Sequence, residues 1–391
     1  MKITKLELET CEVQDWDSLI LDQNTRKRIV KGETKQLKEF VGQFDPESFT
    51  RLYYAQAGVH TGDSMITVAD RYVAKLTNAT IIPDFVHVLT ASGHSLADRF
   101  GSYVTFPKWM ATYGSYFGFN NMKGDFSGPY HYELAEKLSR PLDEYSNMDA
   151  PFLVSTCKND KVYGHFLLQI CPNLFRCAEL LIKYRPPLLF TYNPSPWQID
   201  IILTLFPWLK DFSILICKNP TRFKSLIVPA TFDEPHIDAE FFNFLKSKVP
   251  HSSINSPKKV YITRNDAQTR RITNETELIK ILARYGFEVF NMSNISFNDE
   301  MSLFRHASHV IYISGSHCVN TIFCLHNTSV CTIQSFKSNL STKYLLNNFG
   351  VRNIEYQVAD PNRESLGYND DFTISVPDFF EFLLANGFIQ P

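Results

Sequence analysis

Arginine suits diphosphate binding because its planar fork offers paired donors and keeps its charge at any working pH. Three arginines, Arg264, Arg270 and Arg271, follow a β-branched run in the segment VYITRNDAQTRRITNE. Arg264 closes that run, so on a parallel strand it stands at the carboxyl end, where open α/β sheets bind ligands. Thr273 is placed to cap the next helix, with Asn274 and Glu275 in its opening turn. Further on, Ser314-Gly315-Ser316-His317-Cys318-Val319-Asn320 leads from an apolar run straight into a helical pattern. Small residues let a backbone come close to a ligand, and the N–H groups of a helix start favour an anion. His317 fits a phosphate or a ribose hydroxyl there, and fits a local cap equally well.

A third group lies in the other half of the chain. Tyr163-Gly164-His165-Phe166-Leu167 opens a helix after a strand at 151–157. A histidine with an unperturbed pKa near ~6.5 can take a proton at neutral pH; flanked by apolar residues, it can also be a packing group. Other signals are weak. Asp15-Trp16-Asp17 is a DxD with no apolar strand before it, and Asp370-Asp371 reads as the solvated approach to a helix. No GxGxxG, Walker lysine loop, HExxH or GxSxG occurs, which removes the common dinucleotide, NTPase, zincin and hydrolase readings.

The elements that position these residues follow from periodicity. From Lys259 to Val330 the pattern is three βα steps: strand 260–263 and a helix with Leu278, Ile281 and Leu282, strand 287–290 and helix 298–307, then strand 309–313 and helix 319–325. Upstream, PFLVSTC, PPLLFTYN, FSILICK and KSLIVPATF read as strands, and SPWQIDIILTLF and AEFFNFLKSKV as helices. YGHFLLQICPNLFRCAELLIKY reads as a helix broken or kinked by Pro172. AKLTNATIIPDF and VHVLTASGHSLADRFGSYV suggest β-structure with a turn at Ser92-Gly93. After SVCTIQSF come helix STKYLLNNFG, strand NIEYQVA and a last helix at 376–386. HSSINSPKK is the natural linker, so the expected domains are 1–250 and 251–391, each an open parallel sheet, with a cleft between them. The aromatics of 106–130 either pack a loop-rich layer or line a carbohydrate cleft.

The chain has 391 residues, 44% apolar and 20% charged, which suits packed globular domains and excludes extensive disorder. A net charge of −2 argues against nucleic acid as a partner. Eight cysteines without a CxxC pair suggest buried, reduced thiols and a cytoplasmic protein, and no metal-ligand spacing appears. Neither a secretory signal nor a membrane span is legible. The basic cluster Arg26, Lys27, Arg28 and Lys31 is either a solvated helix face or a peripheral contact with anionic lipid.

Matched in order, Arg264, Arg271, Asn274-Glu275, Glu277-Leu278, Gly286-Phe287, Ala307, Gly315, Asn320 and Phe323 resemble the pattern of glycosyltransferase family 61. YGHFLLQICP and NATIIPDFVHVLTASGHSLAD resemble its upstream segments. Ser314 and His317 stand where the family has histidine and glycine, Val162 where asparagine is frequent, Glu300 for glutamine, and Thr332 or Gln334 for glutamate. The resemblance implies a GT-B architecture: two Rossmann-like domains with parallel sheets facing a central cleft, the donor on the C-terminal one. It suggests that the last helix packs back on the N-terminal domain. It implies inverting transfer from a nucleotide-sugar, most simply a UDP-sugar, without a cofactor, to a glycan or lipid-linked glycan acceptor in capsule, O-antigen or exopolysaccharide synthesis. The expected donor-binding residues are Arg264, Arg270, Arg271, Asn274, Glu275, Gly315, Ser316, His317 and Asn320. His165 is the expected base, with Asp160 and Glu300 as alternatives. The rival reading is a GT-B shell that binds nucleotide-sugar or glycan without turnover.

Overall fold

A computed structural model describes residues 34–36, 65–67, 73–83, 87–89, 143–145, 150–156, 160–229, 239–250, 259–334, 351–358 and 370–390. Outside them lie Asp15-Trp16-Asp17, the basic cluster at 26–31, Ser92-Gly93, the aromatics of 106–130, the linker at 251–258 and the helix expected at 341–350. The chain divides into two compact units after Asp238. The helix Ala239–Ser247 therefore groups with the second unit, although its sequence position suggests the first. Among the described residues no helix is long and apolar enough to cross a membrane. The described cysteines Cys171, Cys177, Cys217, Cys318, Cys324 and Cys331 are buried thiols outside any disulfide.

Strands β1 (Thr34–Gln36) and β2 (Met65–Thr67) form a small antiparallel pair. The larger sheet of the first unit contains β3 (Val73–Ile82), β4 (His87–Leu89), β5 (Asp143–Tyr145), β6 (Phe152–Leu153), β7 (Leu188–Phe190), β8 (Ile214–Ile216) and β9 (Thr221–Pro229). Their order is β4-β3-β9-β6-β7-β8, with β5 also paired to β9. This sheet is mixed rather than purely parallel, because β3 runs antiparallel to both β4 and β9. The connection from β3 to β4 is too short for a crossover, so only a hairpin-like return is open to it. From β6 onward the pairing is parallel, and the chain steps from β6 to β7 to β8, then returns to the other side of β6 as β9. The sheet thus changes direction of growth beside β6.

The helix after β6 is interrupted beside Pro172, as its sequence suggests. Pro172 sits in the first turn of Cys171–Arg176, directly after residues that are already helical. The irregularity lies before it, in a π turn over Phe166–Ile170 that follows Tyr163–His165, and after it at Cys177, where Ala178–Tyr184 begins.

The second unit holds β10 (Lys259–Ile262), β11 (Glu288–Phe290), β12 (His309–Ile313), β13 (Ser329–Gln334) and β14 (Arg352–Gln357), all parallel, in the order β11-β10-β12-β13-β14. Right-handed crossovers place the helices Glu275–Arg284 and Phe297–His306 on opposite faces of such a sheet. Tyr261, Ile311, Ile313, Cys331, Ile333 and Tyr356 project into one core with Leu278 and Leu282. The last helix, Val376–Ala385, is built into this same core through Val376, Phe379 and Leu383. Its approach is tied down as well, because Ile272 and Phe372 form a parallel bridge.

Glu275 fastens the helix Glu275–Arg284 to β10. Its buried carboxylate accepts from the Tyr261 hydroxyl at 2.7 Å and from the Thr263 hydroxyl at 2.9 Å. Burial and the Glu275 charge push the Tyr261 phenol well above its ordinary pKa, so it remains a neutral donor. Glu275→Ala should strand both hydroxyls in a dry core and cost about 3 kcal/mol or more. Urea unfolding would read this as a lower midpoint at unchanged slope, and Glu275→Gln should lose much less.

Candidate functional site

The order β11-β10-β12 means that the chain leaves β10 in one direction and later returns to its other side. At such a switch point the two following loops diverge and leave a crevice at the carboxyl ends of the strands. Arg264 follows β10 and Ser314-Gly315 follows β12, so residues far apart in sequence meet there.

Contact between them is close. A Cβ built on Gly315 would overlap Nη1 of Arg264 and lie 3.2 Å from its Cζ. The backbone at Gly315 is extended (φ 177°), which any residue adopts, so a side chain here would be a matter of space, met by displacing the flexible end of Arg264. Arg264 also donates from Nη2 to the carbonyl of Thr269 at 3.4 Å. Arg270 arrives from the other end of the same loop and donates from Nη1 to the Ser314 carbonyl at 3.2 Å. Its backbone is left-handed (φ 58°), an unfavourable conformation for arginine that the loop enforces. Two guanidinium groups thereby converge on the 314–315 turn. Beyond it, Ser316–Phe323 forms a 3-10 segment in place of the expected α-helix at 319–325.

Other residues expected at the donor site serve the frame. Arg271 is exposed and pairs with Asp371 through Nε at 2.9 Å and Nη2 at 2.6 Å, so Asp371 is an ion-pair partner rather than a merely solvated residue. Asn274 bonds Ile374 twice, donating to its carbonyl at 2.9 Å and accepting from its N–H at 3.1 Å. Thr273 meets Thr373 at 2.7 Å, and Asn274, not Thr273, occupies the helix cap position. Arg271 and Asn274 thus hold the 371–374 segment. Asn320 is buried and donates to the buried Glu300 carboxylate at 2.8 Å, locking Phe297–His306 to the 3-10 segment. Glu300 is therefore a structural acceptor beneath the turn. Ser316 opens the 3-10 segment and is partly exposed.

His317 is partly buried beside Arg264 and Asp266. Burial first, then the Arg264 guanidinium, press its pKa down to about 4, with Asp266 opposing. The ring is neutral at physiological pH, and the positive charge at the turn is arginine's.

In the first unit, Asp160 and His165 lie at the carboxyl end of β6, beside that sheet's own change of direction. Asp160 is buried, and its carbonyl accepts from Tyr192 Oη at 3.2 Å and from Gln198 Nε2 at 2.9 Å. Burial lifts its carboxyl to about 7, while a hydrogen bond from Ser155 and the charges of Lys161 and His165 pull it back. Ser155 is itself fixed by the Thr191 N–H at 3.1 Å. Nδ1 of His165 lies 2.8 Å from Oε1 of Gln169. Sequence reading missed Ser155, Gln169 and Gln198; only Gln169 had a signal, its i, i+4 spacing from His165 on a helix. Among the described residues no group of three or more His, Cys, Asp or Glu side chains could hold a metal ion.

Residues 163–331 match the family model described as Glycosyltransferase 61. The match takes in His165 and both guanidinium groups. Comparison with curated proteins finds no match.

The His317 pKa sets a stability window. The unfolded chain protonates near ~6.5 and the folded one near about 4, so the unfolded state takes up the proton first as pH falls. The contribution is full above the unfolded value and is lost between the two. His317→Gln should flatten the fall in urea midpoint between these pH values.

Proposed function

We propose that this chain is a glycosyltransferase of family 61 that transfers a sugar, with inversion, from a UDP-sugar to a hydroxyl of a glycan acceptor. The family match supports the transferase class. The observation that carries the finer reading is the convergence of Arg264 and Arg270 on the Ser314-Gly315 turn, at the switch point of a five-stranded parallel sheet. That is where an α/β sheet binds a nucleotide, and paired guanidinium groups match a diphosphate. The two units are read as the halves of a GT-B enzyme, with the donor on the second. The acceptor is read as a glycan or lipid-linked glycan of a surface polysaccharide, handled at the cytoplasmic face of a membrane with the 26–31 cluster as its contact.

The reaction is a single displacement. The acceptor oxygen forms a bond to the anomeric carbon while the bond from that carbon to the diphosphate oxygen breaks. His165 takes the hydroxyl proton, and the electron pair of the broken bond leaves on UDP. Charge then grows on the diphosphate, and two guanidinium groups already held in place stabilise it without reorganising. His317, neutral, offers a hydrogen bond and no charge. The charges of Lys161 and His165 favour the ionised form of Asp160, against its burial.

Arg264→Ala should weaken UDP binding about tenfold or more by calorimetry. Gly315→Ala should do nearly the same, because its methyl group displaces the Arg264 guanidinium. Wild-type affinity in both variants would remove this turn from the donor site. His165→Ala should retain UDP binding and lose transfer about a hundredfold or more against a panel of UDP-sugars. UDP binding without turnover by the wild-type chain would favour the non-catalytic reading instead.

A further inference from the structure

The nitrogen of His165 that carries the lone pair decides whether the ring can accept a proton from the acceptor, and Gln169 bears on that choice. Its Oε1 lies 2.8 Å from Nδ1 of His165. A carboxamide oxygen has no proton to give, so the hydrogen in this bond belongs to the imidazole. The neutral ring then holds its proton on Nδ1 and its lone pair on Nε2, the reverse of the form that an unconstrained histidine prefers.

The surroundings of Gln169 point the same way. It is 7% exposed within the run Phe166-Leu167-Leu168-Gln169-Ile170, whose other members are buried apolar side chains. A carboxamide in such a layer is costly unless it is bonded, and leucine would pack there without that cost. The run is the π turn, an irregularity that concentrates at functional sites. Among the described residues, Asp160 is a titratable group near His165, held through Ser155, Tyr192 and Gln198, and Lys161 is its neighbour.

We propose that Gln169 is a positioning residue that holds His165 in its Nδ1–H tautomer and presents Nε2 as the proton acceptor. This rests on the reading of His165 as the base. When the hydroxyl proton reaches Nε2 the ring becomes an imidazolium, and its Nδ1–H bond to Gln169 is kept throughout. No heavy atom need turn during the transfer.

The test is a two-bond proton–nitrogen correlation spectrum of the full chain labelled with 15N-histidine, with the His165 pattern assigned by its loss in His165→Ala. Wild type should give the Nδ1–H pattern above the pH at which the ring titrates. Gln169→Leu should abolish that preference and lower kcat on UDP-glucose or UDP-N-acetylglucosamine about tenfold at unchanged KM. Gln169→Glu should restore the pattern and raise the pH of the ring's titration, which a packing role would not do. A wild-type ring protonated on Nε2 overturns the proposal, as does an unchanged tautomer in Gln169→Leu. The wild-type spectrum decides even if that variant does not fold. Full turnover by His165→Ala would sink the base reading alone, since the tautomer measurement needs no activity.

Discussion

The second unit depends on two strands that are neighbours in space and not in sequence. Because β10 and β12 lie side by side, the loops after them must leave in different directions, and the space between is filled by the Arg264 guanidinium resting on Gly315. A methyl group at that position would have to push the guanidinium aside. Arg270 reinforces the arrangement by bonding the preceding carbonyl from a strained backbone. Positive charge is therefore fixed in place before any ligand arrives, which is what stabilisation of a leaving diphosphate requires.

Around that contact, polar residues divide into those that hold the frame and those that face the crevice. Glu275 joins the first helix to β10, Asn274 and Arg271 fasten the segment before the last helix, and Glu300 with Asn320 locks the layer under the turn. Each buried one is paired, as a carboxylate or amide in a dry layer must be. The first unit repeats the scheme more economically. A network of Tyr192, Gln198 and Ser155 holds Asp160, and a buried glutamine holds His165, at a second change of strand direction.

Much of this was legible in the chain. Apolar runs of β-branched residues located β10, β12 and β13, and helical spacing located Glu275–Arg284, Phe297–His306 and Val376–Ala385, because local periodicity reports the face a segment buries. Arginine at a strand end, small residues in the next turn and a lone histidine after β6 identified the polar groups worth attention. Pro172 marked the interruption of the helix after β6, but the π turn that precedes it was not legible.

Pairing was the part that sequence could not supply. Arg264, Arg270 and Arg271 are alike in composition and nearly adjacent, and only the fold sends two toward Gly315 and the third to Asp371, a hundred residues away. The depressed pKa of His317 and the raised one of Asp160 likewise come from burial, which no local pattern encodes. Spacing determined which residue types stand at the ends of strands, because side-chain direction alternates along the chain. Tertiary structure decided which of them meet, because strand order and crossover direction are set by the packing of whole layers.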